Sequence, residues 1–275
     1  MLNCKNTRGI KSDAPIGIFD SGVGGLTVVR AFERFLPNEN LIYFGDTARY
    51  PYGPRSPEIV TEFAKQNAEL LLTHGIKMLV VACNTASSVA MDVLEDFVDI
   101  PLIGVIEPGA AASVEASINH KIGVIGTAGT IESNSYQRSI RNLQKDAEIY
   151  AKQCPLFVAL AQEGFTGRIA DQVGEVYLAE IREKGIDTLI LGCTHYPLIT
   201  GSIQRVMGDG VKLIDSAEST VLKIRDYLNA TGLENKCQDA GKIIYTVSDA
   251  PKNFKQVGQR FLKHEIGEVR FIRLR

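Results

Sequence analysis

The chain has 275 residues, of which 45% are hydrophobic and 23% charged, a globular mixture that argues against disorder. Thirty Lys and Arg against 32 Asp and Glu leave a net charge of −2, with no basic stripe for a nucleic-acid backbone or an anionic lipid. A chain of 30.1 kDa can bury roughly three quarters of its unfolded surface, so a core forms without disulfides or metals.

The first residues, MLNCKNTRGIKSDAP, are polar and lack the apolar centre of a signal peptide. They read as a loose leader over 1–14. Strand-like runs follow at Ile16–Phe19, Leu41–Phe44, Met78–Ala82, Leu102–Val105, Ile122–Ile125, Thr188–Leu191, Val211–Ile214 and Ile243–Val247. Helical patterns lie between most of them. One opens with Ser56 as cap and Pro57 in the first helical position, and stops at Gly75. Others span about 87–97, 108–118, 132–144, 170–184, 217–229 and 251–263. This alternation predicts an α/β protein with mainly parallel sheets. The apolar runs, such as Leu79–Cys83, fall far short of the ~20 residues of a membrane span. A cytoplasmic protein without membrane or nucleic-acid partners is expected.

A faint repeat divides the chain. IGIFDSGVGG is followed, 63 residues after Asp20, by LVVACNTAS; IGVIGTAGT is followed, 66 residues after Thr127, by LILGCTHYP. In each half a strand feeds a Gly/Ser/Thr turn, and a later apolar strand ends in Cys. Two pseudo-symmetric α/β domains are therefore expected. The first covers 15–107 and is completed by 217–275; the second covers 108–216.

Five cysteines occur, Cys4, Cys83, Cys154, Cys193 and Cys237, without a CxxC pair, so a disulfide framework or a structural zinc site is not expected. Cys83 and Cys193 end strands, where open α/β sheets bind ligands. A helix starting there stabilises a thiolate or a bound carboxylate. Asn84 and Thr85 add hydrogen-bonding groups. Thr194 and His195 follow Cys193, and a Cys with a nearby His suits acid/base or nucleophilic work. Taken singly, each of these cysteines also reads as buried filler, and His195 as a satisfied core histidine. Placed alike in two facing units, the thiols suggest a symmetric task on one small ligand.

Asp20, Ser21 and the glycines of GVGG end the first strand. The run lacks the full GxGxxG spacing, and no Lys follows as in a phosphate loop. The glycines read as room for close approach to a small ligand, with Asp20 as an acidic site residue or a turn cap. The loop GDTARYPYGPRSP overhangs the same edge, with Tyr52 and Gly53 as wall residues. Thr127 enters through its equivalence to the Asp20 turn. His74, His120 and His264 read as surface or helix-end residues. Cys4, Cys154 and Cys237 receive no role.

DSGVGGLTV, PYG, ACNTAS and LGCTHYPL, in this order and spacing, resemble the glutamate racemase family of the aspartate/glutamate racemase superfamily, from about Pro15 to at least Ser216. The resemblance implies interconversion of L- and D-glutamate without pyridoxal phosphate, metal or nucleotide, hence no cofactor. It implies two α/β domains with the active site in the cleft between them, and D-glutamate supply for peptidoglycan. It makes Cys83 and Cys193 the two acid/base thiols, assisted by Asp20 and His195 respectively. The positions matching the substrate site are Asp20, Ser21, Tyr52, Gly53, Asn84, Thr85, Thr127, Thr194 and His195. One departure stands out. Many relatives carry a glutamate after a CPxFV-type segment, and here the segment CPLFVALAQEG offers Gln162 and Glu163.

The chemistry of racemisation fits a pair of opposed bases, because the α-proton must leave one face and return to the other. Other readings are an aspartate or other small-acid racemase, a non-catalytic binder of small acids, and a cysteine hydrolase, which leaves the second thiol unexplained. The sequence is compatible with a homodimer.

Overall fold

A computed structural model describes residues 9–274. Cys4 and the first part of the leader, residues 1–8, lie outside the described residues. Residues 9–14 are not loose. Ile10 packs on the core, Asn40 donates to the Asp13 carbonyl at 2.9 Å, and the buried Lys77 ammonium donates to the Ser12 carbonyl. Lys77 also pairs with buried Glu39 at 2.6 Å, and a buried charge needs each of these partners.

The strands are β1 (Ile16–Asp20), β2 (Leu41–Gly45), β3 (Met78–Val81), β4 (Leu102–Gly104), β5 (Lys121–Gly126), β6 (Glu148–Gln153), β7 (Thr188–Gly192), β8 (Lys212–Asp215), β9 (Ile243–Val247) and β10 (Val269–Phe271). The helices are α1 (Leu26–Phe35), α2 (Pro57–Leu72), α3 (Asn84–Val89), α4 (Met91–Phe97), α5 (Ile106–Ala116), α6 (Ala128–Glu132), α7 (Ser135–Leu143), α8 (Leu156–Glu163), α9 (Arg168–Glu183), α10 (Thr200–Met207), α11 (Ser216–Thr231) and α12 (Pro251–Leu262). Ser56 caps α2 by accepting from the Ile59 amide, with Pro57 at the first position, as the sequence predicts.

Among the described residues two sheets form, ordered β10-β9-β2-β1-β3-β4 and β6-β5-β7-β8. Every strand pair is parallel. The block β2-β1-β3-β4 has the order of β6-β5-β7-β8, so the faint sequence repeat is a repeat of topology. Strand order reverses between β1 and β3, and again between β5 and β7. A crevice opens at such switch points, beyond the carboxyl ends of the strands. The register sets Phe19 opposite Val81 and Gly126 opposite Gly192. Asp20 therefore sits beside the strand end that carries Cys83, and Thr127 beside the one that carries Cys193.

Apolar clusters cover both faces of each sheet, as parallel sheets with helical crossovers require. Several predicted elements change. The helix expected at 87–97 breaks at Ala90 into α3 and α4, and the one expected at 132–144 begins only after Asn134, whose φ of 56° is left-handed. Helices α1, α6, α8 and α10 and strands β6 and β10 had no predicted counterpart. Strand β6 is a half-exposed edge with mixed polarity, and α1 is rich in β-branched residues, so local pattern assigns neither.

Candidate active site

The two strand-end cysteines open onto one cavity of about 400 Å³. Its wall includes Ser21, Tyr52, Gly53, Cys83, Asn84, Thr85, Thr127, Cys193, Thr194 and His195. All the sequence-predicted site residues meet there except Asp20, which is fully buried behind the wall. The Asp20 carboxylate accepts from the Gly22 amide at 2.9 Å and from the Thr194 hydroxyl at 3.3 Å.

The second bond joins the two halves of the repeat, and others run beside it. The Thr85 and Thr127 hydroxyls lie 2.9 Å apart, the Gly129 amide donates to the Gly53 carbonyl at 3.0 Å, and the Asn84 amide donates to the Tyr136 hydroxyl at 2.9 Å. Of the GVGG glycines, Gly24 serves this junction and Gly22 and Gly25 pack within the first half, so all three are crowded by protein, which corrects their reading as room for a ligand. A Cβ at Gly24 would lie 2.2 Å from Thr194 Oγ1 and 2.6 Å from the His195 ring. One at Gly22 would touch the Tyr50 ring at 3.0 Å, and one at Gly25 would lie 2.5 Å from the Asp20 Cβ. These positions make room for protein, not for substrate.

The loop after β2 lacks regular structure but is held from beneath. The buried Asp46 carboxylate accepts from Arg49 Nε at 2.6 Å, from Ser248 Oγ at 2.9 Å and from the Tyr52 hydroxyl. Asn67 donates to the Tyr52 hydroxyl at 3.0 Å. Tyr52 and Gly53 are thus fixed against the cavity although no helix or strand carries them.

Gln162 forms part of the cavity wall and accepts from the Tyr50 hydroxyl at 2.9 Å. The Arg260 guanidinium anchors its backbone carbonyl at 2.8 Å. Glu163 is exposed. Of the two residues that the CPLFVALAQEG segment offers, the neutral amide of Gln162 is therefore the one at the cavity. Tyr50, Tyr136 and Asp46 are site or support residues that the sequence reading missed. The alternation of polar and aromatic residues in the PYG loop was the one available signal for Tyr50.

Burial dominates the electrostatics. It pushes the Cys83 thiol up to about 11, aided by the neighbouring Asp20 charge and opposed by the Ala86 amide and by Ser21. Cys193 is raised further, again by burial, against the His195 backbone amide. The helix N-terminus beside Cys83 favours the thiolate, as the sequence suggests, but desolvation outweighs it. Burial raises Asp20 to about 6 against its amide donors, and lowers His195 to about 4, leaving a neutral imidazole. His195 Nδ1 lies 3.9 Å from Cys193 Sγ, and its Nε2 is buried without a partner. The lining contains no lysine or arginine, so an anionic ligand is met by hydroxyls, amides and backbone N–H groups.

The Asp20 shift predicts a pH effect on stability. A carboxyl that titrates near 6 when folded and near 3.8 when unfolded contributes stability that is complete below 3.8 and lost as pH rises through 6. Asp20→Asn removes that loss. It is expected to raise thermal stability at pH 7.5, by up to about 3 kcal/mol, and to match the parent near pH 3.5. Melting curves of both chains across this range check the sign.

The Asp/Glu/hydantoin racemase family model matches residues 20–224. The chain is 48% identical to a glutamate racemase of Geobacter metallireducens, over 92% of this chain and 94% of that one. It superposes on the crystal structure of a glutamate racemase from Francisella tularensis in complex with D-glutamate, with a TM-score of 0.89, 38% identity, and coverage of 96% and 98% of the two chains. A glutamate racemase from Thermus thermophilus in complex with β-chloro-D-alanine gives a TM-score of 0.87, 43% identity, and coverage of 96% and 98%.

Proposed function

Because the chain belongs to the Asp/Glu/hydantoin racemase family, we propose that it interconverts L- and D-glutamate by two-base proton transfer between Cys83 and Cys193, with no cofactor. The observation that carries this reading is the single cavity onto which both strand-end thiols open. The repeated order of the two sheet blocks supports one thiol on each side of the substrate. It also supports division into a domain of 15–107 plus 217–275 and a domain of 108–216.

One sulfur acts as thiolate and takes the α-proton, becoming a thiol. The other gives its proton to the opposite face of the α-carbon, becoming the thiolate. Roles exchange with the enantiomer. Burial by itself favours the protonated form of both thiols. The substrate ammonium enters the same low-dielectric space, and its charge favours a thiolate there. Asp20 lies behind Cys83 and His195 beside Cys193, placed to hold and pass protons at each sulfur. The weakly acidic α-proton makes the carbanion the difficult species. Preorganised donors must stabilise its charge, and Ser21, Thr85, Thr127 and Thr194 are the candidates.

This chemistry needs a substrate that is small and carries an ammonium and a carboxylate on its α-carbon. In a cytoplasmic setting the product supplies D-glutamate for peptidoglycan. Among the described residues no helix is long and apolar enough to cross a membrane. The test is circular dichroism of L-glutamate with purified chain and no added cofactor. The signal should decay to zero, because enantiomers are equal in free energy in water, and should persist after thiol alkylation of the chain. Turnover of aspartate but not glutamate would favour the other small-acid reading. Turnover that survives alkylation would overturn the thiol mechanism.

A further inference from the structure

We propose that Tyr136 is a positioning residue for the reaction, its buried hydroxyl fixing the Asn84 side-chain amide so that the amide oxygen is the acceptor offered to the substrate ammonium. This rests on the glutamate racemase reading and adds to it a residue outside the cavity wall.

Tyr136 lies on α7 and is fully buried. Its ring fills a slot between two glycines. A Cβ at Gly192 would lie 3.1 Å from Tyr136 Cε2, and one at Gly109 would lie 3.3 Å from Tyr136 Cε1. Gly192 directly precedes Cys193. The hydroxyl accepts from Asn84 Nδ2 at 2.9 Å, and Asn84 directly follows Cys83. One side chain therefore touches both strand ends that carry the thiols. Burial raises its phenol well above the ordinary range, so it stays a neutral hydroxyl.

The Asn84 amide nitrogen is committed to Tyr136, with Ser216 Oγ a second acceptor at 3.4 Å. Its oxygen is buried and has no partner, while Asn84 itself forms part of the cavity wall. An unmet buried acceptor is costly, and a bound donor relieves it. Glutamate carries one donor group, the α-ammonium; its two carboxylates only accept. The unpaired oxygen thus selects the ammonium. Without the Tyr136 hydroxyl the amide is free to turn over and present its NH2 group, which opposes the same charge.

The test is a double-mutant cycle of Tyr136→Phe and Asn84→Ala in the full chain, read by KM and kcat for both enantiomers and by calorimetric binding of D-glutamate. Phenylalanine keeps the ring in its slot and removes only the hydroxyl. Tyr136→Phe is expected to raise KM and weaken D-glutamate binding about ten-fold, with a smaller change in kcat, the scale of one lost hydrogen bond to a charged partner. In the Asn84→Ala background the same change should have less than about a two-fold further effect, because neighbours acting through one contact are not additive. Equal losses in both backgrounds, or none in the parent, would overturn the proposal. Failure of the unmodified chain to racemise glutamate would overturn the functional reading instead, so the two failures are distinguishable.

Discussion

Cys83→Ser and Cys193→Ser should each lower racemisation of both enantiomers by about 10²–10⁴-fold, the usual worth of a positioned acid/base group. A serine hydroxyl occupies nearly the same volume but does not ionise in the accessible pH range, so it neither takes the α-proton nor returns one at a useful rate. Both sulfurs are needed in either direction, one as base and one as acid, so neither variant retains a fast direction of racemisation. The two lesions differ in another readout. In D₂O, the variant that keeps the abstracting sulfur for a given enantiomer can still exchange that enantiomer's α-proton and return it to the same face. Exchange without inversion should therefore survive for one enantiomer in one variant and for its mirror image in the other. Proton NMR of the α-position, run beside circular dichroism, separates the two. Near-parental racemisation by both variants would remove the basis for opposed thiols.

The second large effect is expected at a residue that carries no side chain. Gly24→Ala places a methyl 2.2 Å from the Thr194 hydroxyl and 2.6 Å from the His195 ring. Both neighbours are buried, at 6% and 2% exposure, and both form part of the cavity wall, so they yield only by moving into the substrate space. Overpacking of this kind costs about 1–3 kcal/mol. The displaced segment follows Cys193 directly and includes the Thr194 bond to Asp20, so the second thiol shifts relative to the first. Misplacement by about 1 Å of reacting groups costs on the order of a hundred-fold in rate. A fall in kcat/KM of that size, with a lowered melting temperature, is expected. Gly210→Ala is the control, because a Cβ there meets nothing within 4 Å; it should leave both quantities unchanged. A Gly24→Ala chain with parental activity would contradict the close junction of the two sheet blocks.

Legibility differed between parts of the molecule for physical reasons. The strand-end cysteines were readable because apolar runs of four or five residues bounded by Gly, Ser and Thr announce buried parallel strands. The chemistry then sits where such strands end. The repeat made Thr127 readable by its equivalence to the turn at Asp20, although its local sequence is bland. Strand β6 is the counterpart of β2 in the second block. The same equivalence could have found it, where its mixed pattern, EIYAKQ, could not. The choice between Gln162 and Glu163 turned on the phase of α8, which only packing determines: Gln162 faces the cavity and Tyr50, and Glu163 faces solvent.

Local sequence by itself determined the mainly parallel α/β class, the two matched units, the pair of thiols at equivalent strand ends and most of the small polar groups around them. Those features depend on hydrophobic period, turn chemistry and residue identity, which act over a few residues, and on the recurrence of the same short motifs at similar spacing in the two halves. The tertiary structure decided the rest. It placed Asp20 behind the cavity wall, set Gly24 against Thr194 and His195, set Tyr136 between two strand ends and raised both thiols through burial. Each of these depends on which distant segment fills the space beside a residue, and on how much water that segment excludes.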